Sequence, residues 1–259
     1  MRSLPTLEHA ASRFRALSIV VRAWAVAALD LVFPARCPVC EATLGTGRRD
    51  PLCGACWNGI ARIEPPFCVR CGLPSLAFEP THAETGSCSA CLVAPPAFDW
   101  ARAAARYEGP LREAVHRFKF GRRVTLARAL AALMVEQCAA AVPSGAVLVP
   151  VPLARERERD RGFNQAALLA ERIARALRAR WRPRWLARSR ATAPQTALDA
   201  TQRLANVHGA FVASTSAAGA NIVLVDDVLT TGATASECAH ALRAAGARSV
   251  GVLTVARVS

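Results

Sequence analysis

The chain has 259 residues, 53% of them hydrophobic, so a sizeable core is within reach and one medium domain plus a smaller module is the expected scale. That length excludes a small secreted scaffold stapled by disulfides, although ten cysteines are present. The formal net charge of +14 points to an anionic partner such as phosphate or nucleic acid, but only Lys119 among the 33 basic residues is a lysine and no dense basic run occurs, so part of the charge reads as the arginine bias of a GC-rich genome.

Taken in chain order, three regions separate by composition. Residues 1–36 are Arg- and Ala-rich and read as an amphipathic helix that packs on the body and ends at Pro34. Within it, residues 16–33 are the only apolar stretch long enough to suggest a membrane, and Arg22 and Asp30 interrupt it. A charge in the hydrocarbon core costs about 2.5–3.5 kcal/mol even on the lenient insertion scale. No integral membrane segment and no signal peptide are expected, and the protein is read as cytoplasmic.

Residues 37–96 hold four C-x-x-C pairs amid prolines and glycines. Cys37, Cys40, Cys53 and Cys56 form one set with twelve residues between pairs; Cys68, Cys71, Cys88 and Cys91 form another with sixteen. Two such sets predict two closed tetrahedral thiolate sites for structural Zn2+, with Gly54 and Gly72 at the knuckle turns. Spacing leaves a cross-braced arrangement open. Cys138 and Cys238 stand alone in helical patterns and read as buried packing residues.

Residues 97–259 alternate strand and helix, which predicts an α/β fold with a parallel sheet. Strands are expected at 98–107, 146–151, 185–187, 209–213, 221–225 and 249–255, and helices within 111–142, 164–180 and 233–245. The most informative segment runs from Ile222 to Thr234: a buried strand, the acids Asp226 and Asp227, a Thr230-Thr231-Gly232 turn, and the start of a helix. Ligands of open α/β sheets bind at the carboxyl ends of strands, and backbone N–H groups at a helix N-terminus cradle phosphate. The acids would repel phosphate, so they suit hydroxyl groups, such as those of a ribose beside it.

These thirteen residues resemble the signature of type I phosphoribosyltransferases for 5-phosphoribosyl 1-diphosphate (PRPP). The resemblance implies that Asp226 and Asp227 form the catalytic pair holding the ribose hydroxyls, and that Thr230, Thr231, Gly232, Ala233 and Thr234 hold the 5′-phosphate. Val149-Pro150-Val151-Pro152-Leu153, Arg161-Gly162-Phe163-Asn164-Gln165, Glu108-Gly109-Pro110-Leu111 and Phe118-Lys119-Phe120 extend the match to the ComF family, whose members include ComFC and GntX. With the cysteine module, which resembles a double zinc ribbon, the resemblance covers nearly the whole chain from Pro34. It implies a pyrophosphate loop over Val151–Arg161, with Arg155 and Arg161 as ligands, and a hood over Arg190–His208 that includes Gln195, Arg203 and Asn206. The lone lysine, Lys119, stands where arginine drift would be easy, so a compact ammonium is expected to serve the same site.

Two functions follow from the resemblance. The first is an enzyme that binds PRPP with Mg2+ and transfers phosphoribosyl to an acceptor that no residue identifies. The second is a non-catalytic PRPP or nucleotide binder, or an adaptor that handles single-stranded DNA. The family's association with DNA uptake makes DNA and DNA-uptake proteins the expected partners.

Overall fold

A computed structural model describes residues 34–45, 51–74, 86–190 and 207–258. The helix expected in 1–36 lies almost wholly outside these residues, as do Gln195, Arg203 and Asn206. Among the described residues no helix is long and apolar enough to cross a membrane.

The centre is a five-stranded sheet in the order β1-β7-β6-β2-β3, all neighbours parallel. The strands are β1 (Trp100–Arg106), β2 (Val147–Pro150), β3 (Arg180–Trp181), β6 (Asn221–Leu229) and β7 (Ser249–Arg257). Side chains alternate between faces, and both faces are covered, which is why the inner strands read as nearly continuous apolar runs. Leu148, Val223, Val225, Leu253 and Val255 join one buried cluster; Val147, Val149, Ile222, Leu224, Val250 and Val252 join the other.

Helices α3 (Gly109–Lys119), α4 (Leu126–Cys138) and α6 (Gln165–Leu177) contribute to the first cluster, and α7 (Ala233–Ala244) to the second. In α3 the buried residues Leu111, Ala114, Val115 and Phe118 fall at helical spacing, and Pro110 sits in the first turn. His116, Arg117 and Lys119 occupy its last turn, where cations are favoured by the helix dipole. Cys138 and Cys238 are buried, as expected for packing residues.

Beyond β3, which takes up the last residue of the helix expected within 164–180, three features differ from the sequence reading. Strands β4 (Leu186–Arg188) and β5 (Phe211–Ala213) form a separate antiparallel pair, outside the parallel sheet. They flank the stretch expected to be the hood. The segment Val151–Arg161 is a loop only to Ala154; helix α5 (Arg155–Arg161) follows, ended by Gly162 at φ 83°. That helix buries no residue, so hydrophobic periodicity could not reveal it. Finally, β6 runs on to Leu229, so Asp226 and Asp227 lie inside the strand rather than after it.

The cysteine module, which includes the short helices α1 (Gly54–Asn58) and α2 (Ser89–Val93), covers the outer edge of β1. Ile63 N donates to Ala104 O (3.1 Å), Arg106 N to Ala61 O (2.8 Å) and Ala101 N to Arg70 O (2.6 Å). A strand edge left open is a template for unwanted pairing, and these bonds close it.

On β7, Gly251 is required by a close approach: a Cβ there would lie 2.2 Å from the Trp100 ring. Gly251→Ala is expected to lower stability by about 1–3 kcal/mol, the usual cost of overpacking. Trp100→Ala removes the clashing ring, so the glycine substitution costs less in that background, a coupling read from four melting curves. Equal costs in both backgrounds would contradict the packing described.

Candidate functional site

Strands β2 and β6 end side by side, and the chain leaving each forms one wall of a cavity of about 420 Å3. Val151, Pro152 and Leu153 come from the loop after β2, Asp226 to Leu229 from the end of β6, Thr230 to Ala235 from the turn after it and the start of α7, and Lys119 and Phe120 from the end of α3. Gly232, at φ 83°, sets the turn that starts α7, and the Thr231 hydroxyl accepts a hydrogen bond from Ala233 N at 3.4 Å. The first turn of α7 therefore opens on the same space as the threonines.

The acids differ from each other because successive residues of a strand face opposite ways. Asp227 is buried and takes an ion pair from Lys119 at 2.7 Å. Desolvation disfavours the Lys119 ammonium, but Asp227, by charge and hydrogen bond, with Asp226 behind it, keeps its pKa above the ordinary lysine value. Asp226 is half-buried, and its Oδ1 accepts from Asp227 N at 2.8 Å. Burial, and then the charge of Asp227, push the Asp226 carboxyl up to about 7, with Lys119 pulling the other way.

Of the residues the sequence singled out, Lys119, Arg161, Asp226, Asp227, Thr230, Thr231, Gly232, Ala233 and Thr234 all line this one cavity. Arg155 does not. It begins α5, is exposed and lies off the lining, whereas Arg157 and Arg161 of the same helix reach it. Burial lowers the Arg161 pKa while Asp227 opposes that shift, and its guanidinium lies 5.2 Å from the centre of the Phe120 ring.

Sequence reasoning assigned no role to Asn164, Gln165 or Arg188. Asn164 caps α6 by accepting from Ala167 N (3.3 Å) and donates to Val151 O (3.1 Å), so it ties the first loop to the helix. Gln165 is 2% exposed, lines the cavity, and its Nε2 has no hydrogen-bond partner among the described residues. A buried donor of that kind costs free energy until a ligand accepts from it. Arg188 enters from β4.

The cysteines resolve into two centres, each using consecutive pairs: Cys37, Cys40, Cys53 and Cys56, then Cys68, Cys71, Cys88 and Cys91. The cross-braced alternative is excluded. All ten cysteines are free thiols, and within each centre the ligand sulfurs lie within 4.8 Å of one another. Cys40 and Cys53 are 3.5 Å apart and Cys71 and Cys88 3.7 Å. Tetrahedral zinc with Zn–S bonds near 2.3 Å places its sulfurs about 3.8 Å apart, so the donor set fits. Burial opposes ionisation of Cys37, but N–H groups of Cys53, Cys40 and Val39 outweigh it and bring the thiol to about 6. Those of Cys71, Cys88 and Arg70 do the same for Cys68, to about 7. Burial pushes Cys56 and Cys91 of the same centres the other way.

The two centres are anchored differently. Cys37, Leu44, Leu52, Cys56 and Ile60 belong to the main core cluster. Among the described residues, the cluster of the second centre holds only its own cysteines and Leu73. Purified protein is expected to carry two zinc ions per chain by metal analysis. Cys88→Ser combined with Cys91→Ser should reduce this to one and leave the main melting transition in place. Zinc-free protein with intact disulfides would overturn the assignment.

Comparison with known proteins agrees with these features. A family model described as the double zinc ribbon domain matches residues 28–92, and the phosphoribosyl transferase domain matches residues 164–259. A DNA utilization protein, YhgH, of Escherichia coli O6:H1 is 35% identical over 88% of this chain and 99% of its own length. Competence protein F of Haemophilus influenzae is 31% identical over 87% of this chain and 98% of its own. Competence protein ComFC of Bacillus subtilis is 32% identical over 80% and 85%. With relatives this similar along most of its length, a phosphoribosyltransferase-type α/β fold and a double zinc ribbon in front of it, the chain belongs to the ComF family.

Proposed function

We propose that the cavity binds PRPP together with Mg2+, and that the protein transfers the phosphoribosyl group to an acceptor in the handling of DNA. The observation that supports this most is the convergence of Asp226, Asp227, Lys119, Arg161 and the Thr230–Thr234 turn on one space. In this reading the first turn of α7 holds the 5′-phosphate through backbone N–H groups. The two carboxylates accept hydrogen bonds from the ribose hydroxyls. Arg161 and Arg157 face the diphosphate; Arg157 takes the place that the sequence reading gave to Arg155.

Magnesium fits the residues present, since it is commonly held by one or two carboxylates and substrate phosphates, and it would supply counter-charge to the departing diphosphate. The chain's own part is to orient the sugar and to place positive charge where the bond between its first carbon and the diphosphate oxygen breaks. No covalent protein nucleophile is needed. Gln165 offers a buried amide donor to any ligand oxygen that enters. The names of the relatives and the net charge of +14 favour a second reading, in which PRPP or a nucleotide is bound without turnover by a DNA-handling adaptor. Pyrophosphate release from PRPP, assayed with and without candidate acceptors, separates the two.

Three outcomes test the site. Asp226→Asn, which leaves the Lys119–Asp227 pair intact, should weaken Mg·PRPP binding at least tenfold with little change in melting temperature. Hydrogen bonds to charged groups are worth roughly 1.5–3 kcal/mol, so adding Asp227→Asn should bring the loss to a hundredfold or more. That second change also strands Lys119, at a cost of about 3–5 kcal/mol in stability. Simple anions such as sulfate should still bind the turn. Unchanged PRPP affinity in folded Asp226→Asn protein refutes the site.

The pH dependence follows from the Asp226 carboxyl at about 7. Asp227 and Lys119 face it, and Cys238 of α7 senses its charge. Binding needs the ionised form, so Mg·PRPP affinity should climb with pH to about 7 and level above it. The wild-type profile minus that of Asp226→Asn isolates this group, and coincident profiles would contradict its role.

A further inference from the structure

One buried arginine joins the second cysteine centre to the phosphate-binding turn. Arg257 is the last residue of β7 and is 8% exposed. Its Nε donates to Cys71 O at 3.3 Å. Its Nη1 lies within hydrogen-bond reach of Leu229 O (3.2 Å), Thr230 O and Val258 O. Among the described residues no carboxylate pairs with it, so carbonyl oxygens alone answer its charge. A cation buried in this way is costly to leave unsatisfied, so its partners are held firmly to it.

Both ends of this contact matter. Cys71 is a ligand of the second centre, and its peptide neighbour Gly72 sits at φ 67°, where a Cβ would lie 2.7 Å from Ala101 O. The knuckle is therefore seated directly on β1. Backbone bonds to β1 hold one side of this knuckle, through Ala101 N to Arg70 O; among the described residues its own cluster holds only cysteines and Leu73, so metal bound by Cys71 adds the constraint on the other side, next to the Cys71 carbonyl. At the other end, Thr230 opens the turn that lines the cavity.

We infer that Arg257 is a positioning residue that couples metal occupancy of the second cysteine centre to the conformation of the Thr230–Thr234 turn. Metal holds the knuckle, the knuckle carbonyl orients the guanidinium, and the guanidinium holds the turn by the Leu229 and Thr230 carbonyls. Coupling of this kind is reciprocal: a ligand that orders the turn must retain metal in the second centre. The ligand half of the inference rests on the PRPP reading; the ordering of the turn does not.

The experiment compares full-length zinc-loaded protein, the Cys88→Ser/Cys91→Ser variant and Arg257→Gln. Hydrogen–deuterium exchange of residues 229–234 should rise severalfold in both variants, although Arg257→Gln keeps two zinc ions. Mg·PRPP affinity should fall about tenfold in both. Saturating Mg·PRPP should slow the loss of one zinc to a zinc-selective chromogenic chelator about tenfold in the wild type and leave the rate unchanged in Arg257→Gln. A residue with a merely structural role would not abolish that reciprocal effect. Unaltered exchange in the turn once the second centre has lost its zinc overturns the coupling, even if Arg257→Gln fails to fold. If wild-type protein binds no PRPP yet the turn loosens in both variants, the coupling stands and the PRPP reading falls.

Discussion

The parallel alignment of β2, β6 and β7 is the constraint on which the molecule depends. Strands covered on both faces must be apolar on both faces, and parallel strands must all end at the same edge of the sheet. The loops that leave Pro150 and Leu229 are thereby forced together, with the first turn of α7 opening on the same cavity. Polar chemistry can collect only there, because the strands themselves have no side free for it. Asp226 and Asp227, set near the end of β6, are the point at which the apolar run gives way to charge.

Placing two acids at the end of a buried strand is electrostatically expensive, and the structure offsets the cost in separate ways. Asp227 is met by Lys119, from a helix whose last turn favours cations. Asp226 has no such cation at contact distance among the described residues; it accepts a backbone N–H and its pKa moves toward neutrality. The pair thus combines a carboxylate held by a lysine with a carboxyl that titrates near physiological pH. Arg157, Arg161 and Arg188 elsewhere on the cavity wall supply positive charge opposite these acids.

Legibility in the sequence followed the physics of burial. Asn221–Val225 and Ala146–Val151 could be read because two-faced burial demands unbroken apolar residues. The eight ligand cysteines could be read because tetrahedral thiolate sites impose a spacing. Helix α5 could not, since seven alternating charges with no buried face carry no period. For the same reason the sequence could not tell which arginines of that segment face inward, and Arg155 was expected where Arg157 stands. Gln165 was visible as part of a motif, but its role depends on an orphaned amide that only packing reveals. Arg257 lies 186 residues from Cys71, and nothing local marks that contact. The ribbon's seat on β1 is equally non-local, made by backbone bonds from Ile63, Ala101 and Arg106 that any sequence could supply.

The most direct test of the central claim is a crystal structure of the full chain with Mg·PRPP. The account predicts the 5′-phosphate on the backbone N–H groups of Thr231 to Thr234, the ribose hydroxyls on Asp226 and Asp227, and the diphosphate facing Arg157 and Arg161. A ligand bound elsewhere on the molecule, with Lys119 and Asp227 still closed on each other across an empty cavity, would contradict it.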